Sequence, residues 1–130
     1  MKPVIIDTSG IVAAMNVKDN HHSEAKESFL RAAQERRILV ITNYVRAETH
    51  ALLVSRAGKE NALKFLEDTS WVIEWVTPKD EREAIGLLIQ YHDKAFSLTD
   101  ATTFVVAKRL GIDTAIAFDR HFRQIGLVTL

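Results

Sequence analysis

Short runs of uninterrupted apolar residues, many of them β-branched, alternate along the chain with longer segments whose apolar positions recur every three or four residues. Val4-Ile5-Ile6 is the first run and predicts a buried strand ending at Asp7. Asp7-Thr8-Ser9-Gly10 carries turn and N-cap chemistry and introduces a short helix over 11–15. Residues 23–35 read as an amphipathic helix with Ala25, Phe29, Ala32 and Ala33 on its apolar side. Ile38-Leu39-Val40-Ile41 predicts a second strand, and Thr42-Asn43 caps a helix over 44–56 that Gly58 ends. A further helix over 60–68 follows. Residues 71–76 predict a third strand stopped by Pro78, and 79–91 a helix with Ala84, Ile85, Leu88 and Ile89 as its core stripe. Thr99 is the expected cap of a helix over 100–110, ended by Gly111. Residues 114–118 form the next expected strand, and Val128-Thr129-Leu130 a last short one.

Apolar strands alternating with helices are the pattern of a parallel sheet covered on both faces, so the expected class is α/β. With 130 residues, no internal repeat and no Pro/Gly/Ser linker, the expectation is a single domain over 1–130 with a core of its own. There is no cysteine, which removes thiol catalysis, cysteine zinc sites and disulfides. No apolar stretch is long enough for a membrane span, and the start of the chain does not have the form of a signal peptide. A cytoplasmic location without membrane association is the expectation. The 17 basic and 17 acidic residues balance, which argues against nonspecific duplex binding but leaves room for a local basic rim.

Four acids stand in telling places. Asp7 and Asp119 each follow an apolar run, and in open parallel sheets ligands bind beyond the carboxyl ends of the strands. Either one alone is equally a cap for the turn after it. Glu48 falls between Val45 and Leu52 on the inward side of its helix, where a carboxylate needs a partner. An ion pair with Arg46 or Lys108 would satisfy it as well as a metal. Asp100, in Ser97-Leu98-Thr99-Asp100-Ala101, is also an ordinary first-turn helix acid. Taken together, four carboxylates without cysteine suit Mg²⁺ or Mn²⁺ better than zinc, and crowded like charges make sense mainly around a cation.

In these segments the chain resembles the PIN-domain family, and within it the VapC-type toxin ribonucleases of toxin–antitoxin pairs. The resemblance is carried by Val4-Ile5-Ile6-Asp7-Thr8-Ser9, by Glu48, by Ser97-Leu98-Thr99-Asp100-Ala101 and by Ala117-Phe118-Asp119-Arg120-His121-Phe122, in that order across nearly the whole chain. It implies a three-layer α/β/α sandwich around about five parallel strands. It also implies an Mg²⁺- or Mn²⁺-dependent endoribonuclease acting on single-stranded RNA, usually a homodimer, restrained by a cognate antitoxin. The family's acidic positions fall on Asp7, Glu48, Asp100 and Asp119. Its small hydroxyl residue falls on Thr8 or Ser9, with Ser9 preferred. Asp7 and Asp100 would bind the principal ion, Glu48 and Asp119 would complete its shell, and water would attack the phosphodiester in line. Arg46, Lys94, Arg120 and Arg123, near the acids in sequence, are the candidates for gripping the RNA backbone.

Other readings stay open at this stage. A phosphoaspartate enzyme would want a second Asp two residues after the first, where Ser9 stands. A non-catalytic module of the same fold, binding RNA or protein, is the stronger alternative, although a pure RNA binder gains nothing from concentrated negative charge. The histidines His21, His22, His50, His92 and His121 show no zinc spacing. His21-His22 reads as a loop before a helix, and His121 alone, near Asp119, invites attention.

Overall fold

The computed structural model describes residues 2–130. Five parallel strands form one sheet: β1 (Pro3–Ile6), β2 (Ile38–Thr42), β3 (Val72–Glu74), β4 (Thr114–Ile116) and β5 (Val128–Thr129), in the order β3-β2-β1-β4-β5. Seven helices connect them: α1 (Thr8–Met15), α2 (His22–Gln34), α3 (Asn43–Arg56), α4 (Lys59–Glu67), α5 (Pro78–Gln90), α6 (Leu98–Arg109) and α7 (His121–Gln124). None is long and apolar enough to cross a membrane, among the described residues. The expected α/β class and the parallel sheet are both present.

The two-residue period of β1 sorts its side chains into two cores. Val4 and Ile6 join Ile11, Val12, Val45, Leu53 and Phe65 on the side of α1–α4. Ile5 faces the other way, onto Phe104, Val106 and Phe122 of α6 and α7. A sheet buried on both faces needs continuous apolar strands, which is why β1 is Val-Ile-Ile rather than an alternation.

Several elements depart from the sequence reading. Helix α1 begins at Thr8, because the Asp7 side chain caps it directly. Ser97, not Thr99, caps α6, so that Asp100 is the third helical residue. β3 shrinks to three residues at the sheet edge, and β4 ends at Ile116, which leaves Ala117 and Phe118 irregular before Asp119. α7 was not anticipated; at four residues it is too short to show a period. Ile85 and Ile89 are exposed, and the buried stripe of α5 passes through Asp80 and Ala84 instead. Ala33 is exposed too, while Ser28 turns inward and donates to the Leu130 carbonyl.

The sheet order fixes where a ligand could sit. From β1 the chain moves outward through β2 to β3, then returns to the opposite side of β1 for β4 and β5. The strand order therefore reverses between β1 and β4, and the crevice beyond their carboxyl ends is the natural binding position in such a sheet.

Candidate active site

Asp7 leaves β1 at that reversal and is 3% exposed. Its Oδ2 accepts from the Ser9 backbone N–H at 3.2 Å and from the Ser9 hydroxyl at 2.8 Å. The same hydroxyl accepts from the Phe118 N–H at 3.0 Å. One serine thus ties the end of β1, the start of α1 and the segment after β4 together. Gly10 permits the close approach: a Cβ there would lie 2.7 Å from the Ile116 carbonyl oxygen. Asp7 Oδ1 is buried without a hydrogen-bond partner, as are the hydroxyls of Thr8 and Thr49. A buried carboxylate oxygen left unsatisfied is costly, so it marks a place where a further group is expected to bind.

Glu48, Asp100 and Asp119 line the same cleft, an opening of about 280 Å³ shared with Asp7, Ser9, His21 and Arg56. Glu48 is half-buried on α3, whose buried stripe is Val45, Thr49 and Leu53, so it stands beside that stripe on the cleft side rather than at its centre. Neither Arg46 nor Lys108 forms an ion pair with it, among the described residues. Asp100 completes a capping box: its N–H donates to Ser97 Oγ at 3.0 Å, and its carboxylate accepts from the Ser97 N–H at 3.1 Å. Asp119 accepts from the His121 N–H at 2.9 Å, and His121 Nδ1 lies 3.0 Å from Asp119 Oδ1 without making a hydrogen bond.

The electrostatics follow from this crowding. Burial pushes Asp7 up to about 7, against the lowering pull of the Ser9 hydrogen bonds, and the Asp100 charge adds to the rise. Asp100 is raised first by burial and further by Asp119 and Glu48, while its Ser97 hydrogen bonds lower it. Neither acid forms an ion pair with a Lys or Arg, among the described residues. The donors are all hard oxygens, the set a Mg²⁺- or Mn²⁺-like ion prefers, and the orphaned Asp7 Oδ1 faces the same need. The four carboxylates nevertheless line the cleft without drawing together on one point: among the described residues, no three acidic or histidine side chains form a ready ion-holding cluster.

The basic residues divide differently from the sequence reading. Arg120 and Arg123 open onto an adjoining cavity, whereas Arg46 and Lys94 line neither opening. Arg56, which that reading overlooked, reaches the cleft; it stands eight residues after Glu48 on α3, with Leu52 between them, a spacing visible in the chain. His21, expected as a plain loop residue, borders the cleft and stacks on Phe118. No local pattern announces that stack, because it joins segments nearly a hundred positions apart.

The family model of the PIN domain matches residues 4–127. The 23S rRNA-specific endonuclease VapC20 of Mycobacterium tuberculosis is 32% identical over 128 residues, covering 96% of this chain and 95% of its own. Ribonuclease VapC26 of the same organism is 28% identical over 126 residues, covering 94% and 91%. The VapC ribonuclease of Archaeoglobus fulgidus is 32% identical over 124 residues, covering 91% and 78%. The crystal structure of VapC20, a sarcin–ricin loop cleaving toxin, superposes with a TM-score of 0.85 at 31% identity over 96% of both chains.

Proposed function

Because the chain belongs to the PIN-domain family, we propose that it is a single-domain, divalent-metal-dependent endoribonuclease that cleaves single-stranded regions of RNA. The observation that carries the reading is the buried oxygen of Asp7, unpartnered among the described residues, in a cleft edged by four further carboxylates, Asp19, Glu48, Asp100 and Asp119. The ribonuclease and endonuclease relatives support the same class of chemistry. In this reading Asp7 and Asp100 hold a Mg²⁺ or Mn²⁺ ion, with Glu48 and Asp119 completing its surroundings. The bound ion would neutralise phosphate charge, lower the pKa of the attacking water and stabilise the leaving oxygen.

The protein's own part is positioning. Ser9 holds Asp7 through Oδ2 and leaves Oδ1 without a hydrogen bond among the described residues, and its link to Phe118 keeps the Asp119 segment against β1. The Ser97 box holds Asp100 by its backbone. Arg56 brings a positive charge into the same cleft, suited to a phosphate of the bound strand. Hydrolysis by water needs no covalent enzyme intermediate. The toxin whose structure superposes on this chain supports a toxin role; our reading extends it to a type II toxin–antitoxin pair, with the chain a cytoplasmic homodimer blocked by a cognate antitoxin.

The test is cleavage of structured RNA, ribosomal RNA included, by purified protein with Mg²⁺ or Mn²⁺. Parallel reactions contain EDTA, Asp7→Asn or Asp100→Asn. Cleavage lost in all three supports the reading. Cleavage surviving in the variants misassigns the site, and its absence throughout favours a non-catalytic module of the same fold.

A further inference from the structure

Beside the carboxylate cleft lies a second cavity of about 330 Å³, within the range of small-ligand sites. The two openings share one wall, made by His21, Phe118 and Asp119. His21 and Phe118 stack nearly parallel, with ring centroids 4.8 Å apart and planes 7° from each other. The backbone of both residues is anchored. The His21 N–H donates to Asp19 Oδ1 at 2.8 Å, and the Phe118 N–H donates to Ser9 Oγ at 3.0 Å. The His21 side chain is still 48% exposed, so the stack leaves aromatic surface open to a third ring.

The far side of the wall has the opposite charge character. Arg31 from α2, Arg120 just before α7 and Arg123 within it line the second cavity. None of the three has an acidic partner within ion-pair distance, among the described residues; Arg123 donates to the Thr129 hydroxyl at 3.2 Å. Glu24 and Glu27 share the lining, with Glu24 lying 3.5 Å from His21 Nδ1. A purely anionic ligand would not call for those two acids, but a nucleotide does: its phosphate wants the guanidinium groups, and its base offers N–H donors to a carboxylate.

We propose that the His21–Phe118 stack and the Arg31/Arg120/Arg123 cavity form a nucleotide subsite, where a base of single-stranded RNA next to the scissile bond stacks on His21 and its phosphate meets the arginines. The proposal rests on the ribonuclease reading and extends it from chemistry to substrate placement. A strand crossing the shared wall passes from the carboxylate cleft into the arginine-lined cavity. Unstacked bases in RNA loops are the form that aromatic side chains capture, so the subsite favours loops over duplex.

The test separates this subsite from the cleavage chemistry. The Asp7→Asn protein, read as cleavage-deficient, is titrated with a fluorescein-labelled 12-nucleotide single-stranded RNA over a range of salt concentrations. Adding His21→Ala is expected to weaken binding by about 5- to 100-fold, the worth of one stacked base, while His21→Tyr keeps the parent affinity. Adding Arg31→Ala and Arg120→Ala together is expected to flatten the salt dependence by about 0.7 in log–log slope for each phosphate that the arginines no longer neutralise. Equal thermal melting of all these proteins confirms that the fold is intact. Asp7→Asn protein that binds RNA equally well with and without these changes overturns the subsite and leaves the ribonuclease reading standing. Wild-type protein that cuts no RNA, with Asp7→Asn protein that binds none, overturns both.

Discussion

Helices α5 and α6 begin with one chemical device. Thr77-Pro78-Lys79-Asp80 and Ser97-Leu98-Thr99-Asp100 both close a capping box, with a hydroxyl accepting from the third helical N–H at 3.0 Å and a carboxylate accepting from the cap N–H. The difference lies in what the carboxylate has left over. Arg109 takes Asp80 in a two-point grip, Nε on Oδ1 at 3.0 Å and Nη2 on Oδ2 at 2.9 Å, and reaches Glu74 at 2.8 Å as well. That guanidinium holds Asp80 below the usual carboxylate range. Asp100 has no such partner among the described residues; it is raised instead, first by burial and then by the charges of Asp119 and Glu48. A helix-capping acid is therefore structural or available according to its through-space partner, and the local motif is the same in both cases. Asp7 is the extreme of the second kind, a cap with one oxygen unpaired.

The comparison is broken most sharply by exchanging each box acid for its amide. Asp100→Asn is expected to lower the RNA cleavage rate beyond the ~10- to 100-fold typical of residues that merely support a metal site, whereas Asp80→Asn changes it only a few-fold at equal folded fraction. Initial rates on one RNA substrate measure both.

The next largest effect is one of pH on stability. Asp7 has a folded pKa of about 7 against an ordinary 3.8, so between those values the folded protein binds more protons than the unfolded chain. Stability of the metal-free protein should therefore fall as pH rises from 4 to 7, by about 1.4 kcal/mol per unit from this group. Urea melts of Asp7→Asn should lack that component and show a protein more stable than wild type at pH 8 but not at pH 4. Added Mg²⁺ is expected to restore wild-type stability at pH 8, because a cation favours the ionised acid.

Third, Asp80→Asn removes one of the two acidic partners of Arg109 and should cost about 1–3 kcal/mol in urea denaturation, below the full cost of breaking a buried pair because Arg109 is partly exposed and keeps Glu74. Asp100→Asn, measured in the same way without metal at pH 7, should cost nothing or stabilise. A cost of the same order as that of Asp80→Asn is expected for Gly10→Ala. Its Cβ would collide with the Ile116 carbonyl, lifting the start of α1 at a cost of about 1–3 kcal/mol and loosening the Ser9 link. The Ser9→Ala variant separates the two consequences, since it loses the link without the collision.

Much of the fold was legible from periodicity alone. Val4-Ile5-Ile6, Ile38 to Ile41 and Thr114 to Phe118 read as strands because sheets buried on both faces need unbroken apolar runs, although the last of them ends at Ile116. Ile85 and Ile89 misled for the converse reason: a helical stripe shows which residues share a face, but not which face meets the sheet. The acids were legible as candidates, since Asp7 follows a strand and Asp100 opens a helix. Glu48 was found by its apolar neighbours, although it proved to stand beside the buried stripe and not in it.

The sequence by itself determined the elements, the parallel class and the small group of acids from which a site could be drawn, all of which depend on spacings of a few residues. Only the tertiary structure decided which acids keep free oxygens. Asp80 is neutralised by an arginine 29 positions away, and Asp7 is anchored through Ser9 to Phe118, 109 positions further on. Charge pairing acts through space and falls off within a few ångströms, so two identical capping boxes acquire different chemistry only when the chain has closed around them.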